Sequence, residues 1–515
     1  MNENREGRRR LRLAAVALLA PALVAGGCGG SGEERSARRD GSAVWVDPRA
    51  VALDAEGWRT LAAAGVEELF LEAGTLTWEG SRPGIAEAGA AWVRAVPPGA
   101  PVTLVVRGSG PGREVSSSAE LEVSGRELAR ALRAVRLRAE AEGVLPIGYH
   151  LDLAEEPAAE LVRGLRVEAG HGLLVSASLA RERLRAGRGR ELAATADFVV
   201  SFLYGQLPGV ADDPEAWNPA RARDDITALE ALGAPYLVGV VVLGSAQRLS
   251  PSGELRESTT LAGLKDLAVE PALLLSIGDP LSGGVGRAVH SFQAQRPVRA
   301  AGWELAPGET VRVVRTAPSL VQGLLGELDR APGTRRLGQL FYRVAAHDEK
   351  LSLGAEELAA ALGAPPAAPE LRPKLVVGAV RNDTFELRFE LANRSRQSTD
   401  LAATDGNFVR IRAEGGHFGR VDPGEFSRYT LWRGGREVRP GLPGWREPDE
   451  VRLYTPMVLG GERIGGAVLD LRRRVAQPAV FVSGRFFLPD GRELELDEVG
   501  GPLAGPGLVS GRERQ

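Results

Sequence analysis

The sequence predicts a (β/α)8 TIM-like barrel followed by an all-β C-terminal sandwich. Two observations support the barrel: seven or eight apolar strands alternate with helices, and acidic residues stand at the ends of several of these strands. A third observation supports the sandwich. Beyond a Pro/Ala-rich stretch the apolar residues recur with a period of two, as in Phe385, Leu387, Phe389 and Leu391, which is typical of half-buried antiparallel strands.

Seven strands of the barrel are predicted from apolar runs bounded by turn residues or helices. They are Ala43–Val46, Glu68–Glu72, Pro101–Val106, Ile147–Leu153, Gly172–Ser178, Asp197–Tyr204 and Pro235–Leu243. The eighth is either Pro271–Ile277 or Gly338–Val344, and we favour the later one. Before the fourth strand, Ser124 and Glu127 have the spacing of a capping box and predict the start of a helix.

The predicted domain boundaries follow from changes in composition. They are a signal peptide over 1–27, a flexible tether over 28–42, the barrel over 43–363, a Pro/Ala linker over 364–373, the sandwich over 374–500 and a disordered tail over 501–515.

The N-terminal segment predicts export. Five arginines against two glutamates precede an apolar run, Leu13 to Ala25, that is too short to span a bilayer. The run leads to Ala25-Gly-Gly-Cys28 and resembles the lipobox of bacterial lipoproteins. That resemblance implies that Cys28, the sole cysteine, is lipidated and inserts its lipid into the bilayer of the cell envelope. The envelope membrane would be the outer one if the organism has one, and an ordinary secretory signal is the alternative.

Charge and motifs exclude several classes of function. The net charge is −3 and the first 27 residues carry +3, so the remainder carries about −6, which argues against a nucleic-acid partner. The five histidines lack metal-ligand spacing, so we expect neither a metal nor a cofactor. Gly108-Ser-Gly-Pro-Gly112 is followed by no Walker lysine, and no Gly-x-Ser-x-Gly elbow is present.

The candidate site residues stand at the carboxyl ends of the predicted strands, where barrel enzymes hold their chemistry. Asp152 is the first catalytic candidate, and Glu155 and Glu72 follow, because paired carboxylates suit glycoside hydrolysis. Helix capping or pairing with Arg107 explains such carboxylates equally well. The candidates for substrate binding are Asp47, Trp45, Trp78, Arg107, His150 and Tyr204. Trp303, with Trp45 and Trp78, is a candidate for an apolar contact with a sugar ring, and the further strand-end candidates are Glu156, Asp279 and the run His347-Asp348-Glu349.

Three motifs support a family resemblance over roughly residues 43–350. They are His150-Leu-Asp-Leu153, Ser201-Phe-Leu-Tyr-Gly205 and Leu275-Ser-Ile-Gly-Asp-Pro280. With the lipobox, they resemble the bacterial domain-of-unknown-function family 3142, which implies a glycoside-hydrolase-type barrel without an established activity. In that family the fourth strand tends to carry Asp-x-Asp. Here Asp152 matches the first position, but Ala154 occupies the second, which places a two-acid mechanism in doubt.

Three functions therefore remain open: an envelope-anchored glycoside hydrolase acting on a cell-surface or peptidoglycan-derived glycan, a non-catalytic barrel that binds a glycan or protein, and a structural envelope lipoprotein. Carboxyl geometry separates the first two. Two carboxylates facing one open cleft support hydrolysis, whereas Asp152 held in an ion pair with Arg107 supports binding.

Overall fold

The computed structural model describes the chain from Gly41 onwards, with gaps. The described residues are 41–47, 53–88, 92–109, 117–153, 158–170, 172–184, 187–204, 218–260, 263–277, 287–331, 333–344, 351–402, 406–440, 447–489, 491–503 and 507–508. The predicted signal peptide, Cys28 and the predicted tether up to residue 40 lie outside them, whereas Gly41 and Ser42, the last two residues of that predicted tether, begin the first strand. No helix in these ranges combines the length and apolar character that crossing a bilayer requires.

Valine- and leucine-rich strands form the first part of the fold. In chain order they are β1 (Gly41–Val46), β2 (Val66–Glu79), β3 (Arg82–Glu87), β4 (Pro101–Gly108), β5 (Leu145–Leu153), β6 (Leu174–Ser178), β7 (Phe198–Tyr204) and β8 (Tyr236–Val241). All except β3 run parallel to their neighbours, whereas β3 folds back as an antiparallel hairpin on the extended end of β2.

An antiparallel insertion separates β8 from the last strand of the barrel. Its strands are β9 (Ser245–Leu249), β10 (Leu255–Thr259), β11 (Leu273–Ile277), β12 (Arg287–Ala294), β13 (Val298–Ala300), β14 (Trp303–Leu305) and β15 (Thr310–Thr316). Five of them form a sheet in the order β10-β9-β15-β12-β11, and β13 pairs with β14. The run Pro271–Ile277 therefore belongs to this insertion and not to the barrel.

The barrel is closed by β16 (Arg336–Tyr342), which pairs in parallel with both β1 and β8. Since β1 also pairs with β2, the described residues form a closed barrel of eight parallel strands. The predicted fold class is confirmed, and the later of the two candidate strands closes the barrel.

Eight α-helices occur among the described residues. They are α1 (Ala55–Ala63), α2 (Ser118–Ala141), α3 (Ala159–Ala169), α4 (Gly187–Thr195), α5 (Pro219–Leu232), α6 (Leu264–Val269), α7 (Pro318–Arg330) and α8 (Ala355–Ala361). All except α6 contribute apolar side chains to the core around the barrel, whereas Leu264 and Leu267 of α6 pack in the core of the insertion.

The predicted start of α2 was wrong, because the capping box is formed by Ser117 and Glu120. Ser124 lies within the helix and donates its hydroxyl to the carbonyl of Ser81 at 2.9 Å. Ser117 with Glu120 and Ser124 with Glu127 both have the Ser-x-x-Glu spacing, and the sequence alone does not show which of them begins the helix.

Two glycines set the close packing of α2 on α3. A Cβ atom at Gly125 would lie 2.2 Å from the carbonyl oxygen of Leu161, and one at Gly164 would lie 2.0 Å from that of Glu122. Both distances are far below van der Waals contact, so the two helix backbones approach each other only because neither position carries a side chain.

The C-terminal region is antiparallel. Its strands are β17 (Leu371–Arg381), β18 (Thr384–Asn393), β19 (Phe408–Glu414), β20 (Gly416–Asp422), β21 (Arg428–Arg433), β22 (Arg436–Val438), β23 (Glu450–Tyr454), β24 (Arg463–Arg473), β25 (Ala479–Phe487), β26 (Glu493–Pro502) and β27 (Gly507–Leu508). They form a five-stranded sheet, β20-β24-β18-β17-β27, and a six-stranded sheet, β22-β21-β23-β19-β25-β26. Apolar side chains from both sheets share one core. Strand β17 begins before the predicted sandwich start at 374, and β26 and β27 extend into the range predicted to be disordered.

Ion pairs join the sandwich to the part of the chain that precedes it. Arg315 at the end of β15 donates to Asp400 at 2.5 Å. Arg396 makes a two-pronged contact with Asp54, the residue that caps α1. A bidentate contact fixes orientation as well as distance, so it helps to hold the sandwich in a defined position on the preceding part of the chain.

Candidate functional site at the carboxyl end of the barrel

Three charged side chains from adjacent strands meet inside the barrel near its carboxyl end. The strand order β5-β4-β2 places Asp152, Arg107 and Glu72 side by side. Arg107 is the register partner of Asp152 in the parallel pair. Strand side chains alternate between the two faces, so Glu72 shares the inward face of β2 with Phe70. Glu72 is only 1% exposed, whereas the side chains of Asp152 and Arg107 are 21% and 37% exposed.

Arg107 is the centre of this group. Its Nε donates to Oδ2 of Asp152 at 3.1 Å, and its Nη1 lies 3.6 Å from Oε2 of Glu72. The same Nη1 donates to the hydroxyl of Tyr342 at 3.3 Å. Burial lowers the pKa of Arg107, but Tyr342, Asp152 and Glu72 outweigh that effect, and the net pKa is raised. The guanidinium is therefore a fixed positive charge between two carboxylates.

A hydrogen-bond chain runs from Asp152 down into the barrel. Ser178 donates to Oδ1 of Asp152 at 2.7 Å, and Nε2 of His150 lies 3.0 Å from the same serine hydroxyl. Nδ1 of His150 lies 2.9 Å from the hydroxyl of Ser176. Burial lowers the pKa of His150 to about 4, against a smaller opposing effect of Asp152, so the ring is neutral at pH 7.

This chain fixes the tautomer of the histidine. Ser178 has one hydroxyl proton, which it donates to Asp152, so it accepts a hydrogen bond from Nε2–H of His150. A neutral imidazole has no second N–H, so Nδ1 can only accept, and the hydroxyl of Ser176 at 2.9 Å is its donor; the carbonyl oxygen of Tyr149 is a second, longer acceptor for that hydroxyl at 3.4 Å. His150 thus orients Ser178, and Ser178 in turn orients the carboxylate of Asp152.

Aromatic rings fill the interior next to the charged group. Trp45 is fully buried and its ring lies 5.1 Å from that of Tyr342, 5.8 Å from His150 and 6.2 Å from Phe70. Phe202 is half-buried and its ring lies 5.7 Å from that of Tyr342. The carboxyl end of the barrel therefore combines an aromatic wall with a partly exposed ion-pair cluster.

Tyr204 does not join this group, although its strand position predicts it. The register of β7 with β8 shifts between Phe202 and Tyr204, which is the signature of a β-bulge. The extra residue turns Tyr204 outward into the core between strands and helices, whereas Phe202 faces inward. Burial raises the pKa of Tyr204 to about 12, with a further contribution from Glu327 on α7.

The remaining predicted residues follow β1, lie on the β2–β3 hairpin or in the antiparallel insertion, or fall outside the described ranges. Asp47 follows β1 and is half-buried, and Trp78 on the β2–β3 hairpin donates its Nε1 to the carbonyl of Ser109 at 3.1 Å. Trp303 packs in the core of the antiparallel insertion. Glu155, Glu156, Asp279 and the run 347–349 lie outside the described residues, as does Cys28.

The motifs and strand-end positions do not identify four residues that contribute to this site: Ser176, Ser178, Phe202 and Tyr342. The two serines alternate with apolar residues in Leu174-Val-Ser-Ala-Ser178, and this period of two could have placed them on the inward face. Tyr342 stands near the end of the favoured closing strand, so the strand-end rule that selected Asp152 applies to it as well. Among the described residues, no group of three His, Cys, Asp or Glu side chains is arranged to hold a metal ion.

Comparisons with known proteins give matches in structure alone. No protein-family model and no curated protein matches the chain. Its barrel is similar to a chitinase from Chromobacterium violaceum ATCC 12472, with 13% identity, a TM-score of 0.39, and coverage of 63% of this chain and 98% of that one. It is also similar to the spore cortex-lytic enzyme SleL of Bacillus cereus (11% identity, TM-score 0.41, 63% and 74% coverage) and to that of Bacillus megaterium QM B1551 (13% identity, TM-score 0.40, 63% and 73% coverage). These activities belong to those proteins, because one fold hosts many chemistries.

Proposed function

We propose that this protein is an envelope-anchored, glycoside-hydrolase-like lipoprotein that binds a cell-surface or peptidoglycan-derived glycan at the carboxyl end of its barrel. The observation that carries the proposal is Arg107, held between Asp152 and Glu72 and in contact with Tyr342. Sugar hydroxyls both donate and accept hydrogen bonds. A guanidinium beside a carboxylate presents a donor and an acceptor to adjacent hydroxyls.

The surroundings of this group also suit a sugar. Phe202 and Tyr342 contribute aromatic surface next to Arg107 and Asp152, and a binding site needs apolar walls with a few oriented polar groups. The hydrogen bonds from Ser178 to Asp152 and from Arg107 to Asp152 fix the carboxylate before a ligand arrives. Pre-ordered groups lose less conformational entropy on binding.

Hydrolysis is the second candidate, and it rests on one observation: Glu72 and Asp152 contact the same guanidinium, so two carboxylates face one site. Glycoside hydrolysis needs one carboxyl group that keeps a proton to donate to the leaving oxygen. A permanent positive charge between the two groups favours their anionic forms. For that reason we place binding first.

The experiment compares the native full-length chain with Asp152→Asn and with Asp224→Asn, an exposed aspartate on α5 that serves as the matched control. Each protein is titrated with a panel of bacterial glycans by calorimetry, and new reducing ends are counted in the same samples. The proposal predicts binding without new reducing ends. Asp152→Asn should weaken the binding about tenfold, the loss of roughly one charge-assisted hydrogen bond, and Asp224→Asn should not.

Reducing ends that appear with the native protein and disappear with Asp152→Asn would assign hydrolysis to this site instead. If both variants bind the glycan as tightly as the native protein, the binding site does not include Asp152. The anchor is tested separately: Cys28→Ser should release the protein from the membrane fraction of its host, and a variant that stays membrane-bound would overturn the lipid anchor.

A further inference from the structure

The ring of Phe202 lies flat on the backbone of Gly239, its register partner on the neighbouring strand β8. A Cβ atom at Gly239 would lie 2.3 Å from Cδ1 of Phe202, 2.7 Å from Cγ and 2.8 Å from Cε1. An atom that approached Cδ1 in the plane of the ring would lie much farther from Cγ and Cε1 than from Cδ1. The three similar distances therefore place the absent Cβ above the face of the ring and not at its edge.

The ring, and not the backbone, explains the glycine at position 239. Gly239 has no positive φ, the conformation in which glycine is favoured over other residues. An alanine would fit the local backbone of β8, and its methyl group would collide with Phe202. The absence of a side chain at position 239 therefore gives the Phe202 ring its orientation inside the barrel.

The face of Phe202 that covers Gly239 is not the exposed one. Gly239 is buried, whereas Phe202 is half-buried, so the exposed part of the ring is directed away from Gly239. The rings of Tyr342 and Trp45 lie 5.7 Å and 6.4 Å from it, at steep interplanar angles of 78° and 61°. Neither of these two rings is stacked parallel on Phe202. The Phe202 ring is thus supported on one side and partly open to solvent on the other.

The polar groups of the barrel site lie beside this ring. The Cζ atom of Arg107 lies 5.9 Å from the ring centroid of Tyr342, and Nη1 of the same arginine donates to the tyrosine hydroxyl at 3.3 Å. Asp152 accepts from Nε of that guanidinium. Tyr342 therefore contacts both the Phe202 ring and the charged group that we assign to sugar hydroxyls.

We propose that the Phe202 ring is the stacking platform for one pyranose unit of the bound glycan, and that Gly239 is the positioning residue that orients the ring. The inference rests on the glycan-binding function proposed above and assigns the contact that holds the apolar side of the sugar. A pyranose ring presents a face of C–H groups, which are attracted to the negative face of an aromatic ring. Its hydroxyls project from the rim, where an adjacent guanidinium and carboxylate can bind them.

An aromatic side chain that covers a glycine across a strand pair can also serve stability alone. The two roles give different results. If the ring only shields the glycine, replacing Phe202 changes the free energy of unfolding and leaves glycan binding unchanged. If the ring stacks on a sugar, the affinity depends on a flat side chain at this position.

The test measures the Kd of the full-length chain for a peptidoglycan tetrasaccharide of alternating N-acetylglucosamine and N-acetylmuramic acid, together with the urea midpoint of each variant. Phe202→Leu keeps an apolar side chain but removes the ring, so the Kd should rise about tenfold. Phe202→Tyr keeps the ring and should hold the Kd within about twofold of the native value. The control is Phe198→Leu, which changes a phenylalanine of the same strand that is 1% exposed. It should lower the urea midpoint and leave the Kd unchanged.

Gly239→Ala tests the positioning role. The added methyl group must displace the ring, so the Kd should rise about tenfold although residue 239 does not touch the sugar. The double variant Gly239→Ala/Phe202→Leu should bind no more weakly than Phe202→Leu alone, because both changes act through the same ring. Gly326→Ala is the control, since its Cβ atom meets nothing within 4 Å, and its Kd should match the native value.

Three results would overturn the inference: a native Kd for Phe202→Leu, an equal rise in Kd for Phe198→Leu, or a rise in the double variant that equals the product of the two single effects. Failure of the proposed function gives a different result, because the native protein then binds no tetrasaccharide. If Asp152→Asn weakens the binding and Phe202→Leu does not, glycan binding at the barrel stands and the stacking role of Phe202 fails.

Discussion

Arg107 and Asp152 are register partners on neighbouring parallel strands, and Nε of the arginine donates to Oδ2 of the aspartate at 3.1 Å. The sheet itself therefore sets their pairing, and no loop is needed to bring them together. The same guanidinium reaches Glu72, which has almost no access to water. The ion-pair cluster is consequently a candidate binding site, and it also contributes to the stability of the barrel.

Removing Arg107 should destabilise the barrel. In Arg107→Gln the nearly inaccessible carboxylate of Glu72 loses its ion pair, which we expect to cost about 2 kcal/mol, since the partial exposure of Arg107 limits the value of the pair. Urea unfolding measures the difference. Adding Glu72→Gln to this variant should recover part of the lost stability, because the buried charge is then removed. If the double variant loses as much stability as the two single variants together, the ion pair between Arg107 and Glu72 does not couple the two residues.

Stability should fall as the pH is lowered from 7 to 5, in part through His150. Its pKa is about 4 in the folded protein and near 6.5 in an unfolded chain, so the unfolded state binds more protons between these values. This residue alone should remove about 2 kcal/mol of stability between pH 7 and pH 5. His290, whose pKa burial also lowers to about 4, acts in the same direction.

The measurement is the urea midpoint of the native protein and of His150→Asn at both pH values. The variant should lose less stability on acidification than the native protein, even if it is less stable at pH 7. Identical pH dependence in the two proteins would show that His150 does not titrate as the buried environment requires.

A methyl group at the crossing of α2 and α3 should be costly. Gly164→Ala places a Cβ atom 2.0 Å from the carbonyl oxygen of Glu122, so the helices must separate, and we expect a loss of about 2–3 kcal/mol. Gly326→Ala in α7 is the matched control, because its Cβ atom meets nothing within 4 Å. It should stabilise the protein by about 0.5–1 kcal/mol through helix propensity. Equal effects would refute the packing argument.

The contact between the sandwich and the preceding part of the chain should depend on Arg315 and Asp400. Their side chains are 12% and 22% exposed, so Arg315→Gln leaves a poorly hydrated carboxylate and should cost about 3 kcal/mol, measured by calorimetry. Arg439→Gln is the control, because its pair with Glu437 is 72% and 38% exposed and should change stability by less than about 0.5 kcal/mol. A melting profile of Arg315→Gln that equals the native one would show that this ion pair does not hold the sandwich to the preceding part of the chain.

The barrel, the sandwich and the position of the central strand could all be predicted from the amino-acid sequence. Ile147–Leu153 was predicted and Leu145–Leu153 is observed, because the apolar run and the period-two placement of His150 and Asp152 are local properties of the chain. The stripe Leu128, Leu132, Val135 and Ala139 of α2 is buried for the same reason.

Which side chains contact one another became apparent only from the three-dimensional fold. A bulge in β7 turns Tyr204 away from the barrel interior and leaves Phe202 facing it. The bulge depends on the register of β7 with β8, which no local sequence pattern encodes. The pairing of Arg107 with Tyr342 joins residues 235 positions apart in the sequence. Residue type and period fix which face of a strand a side chain occupies, whereas its neighbours across the sheet follow from strand order and register.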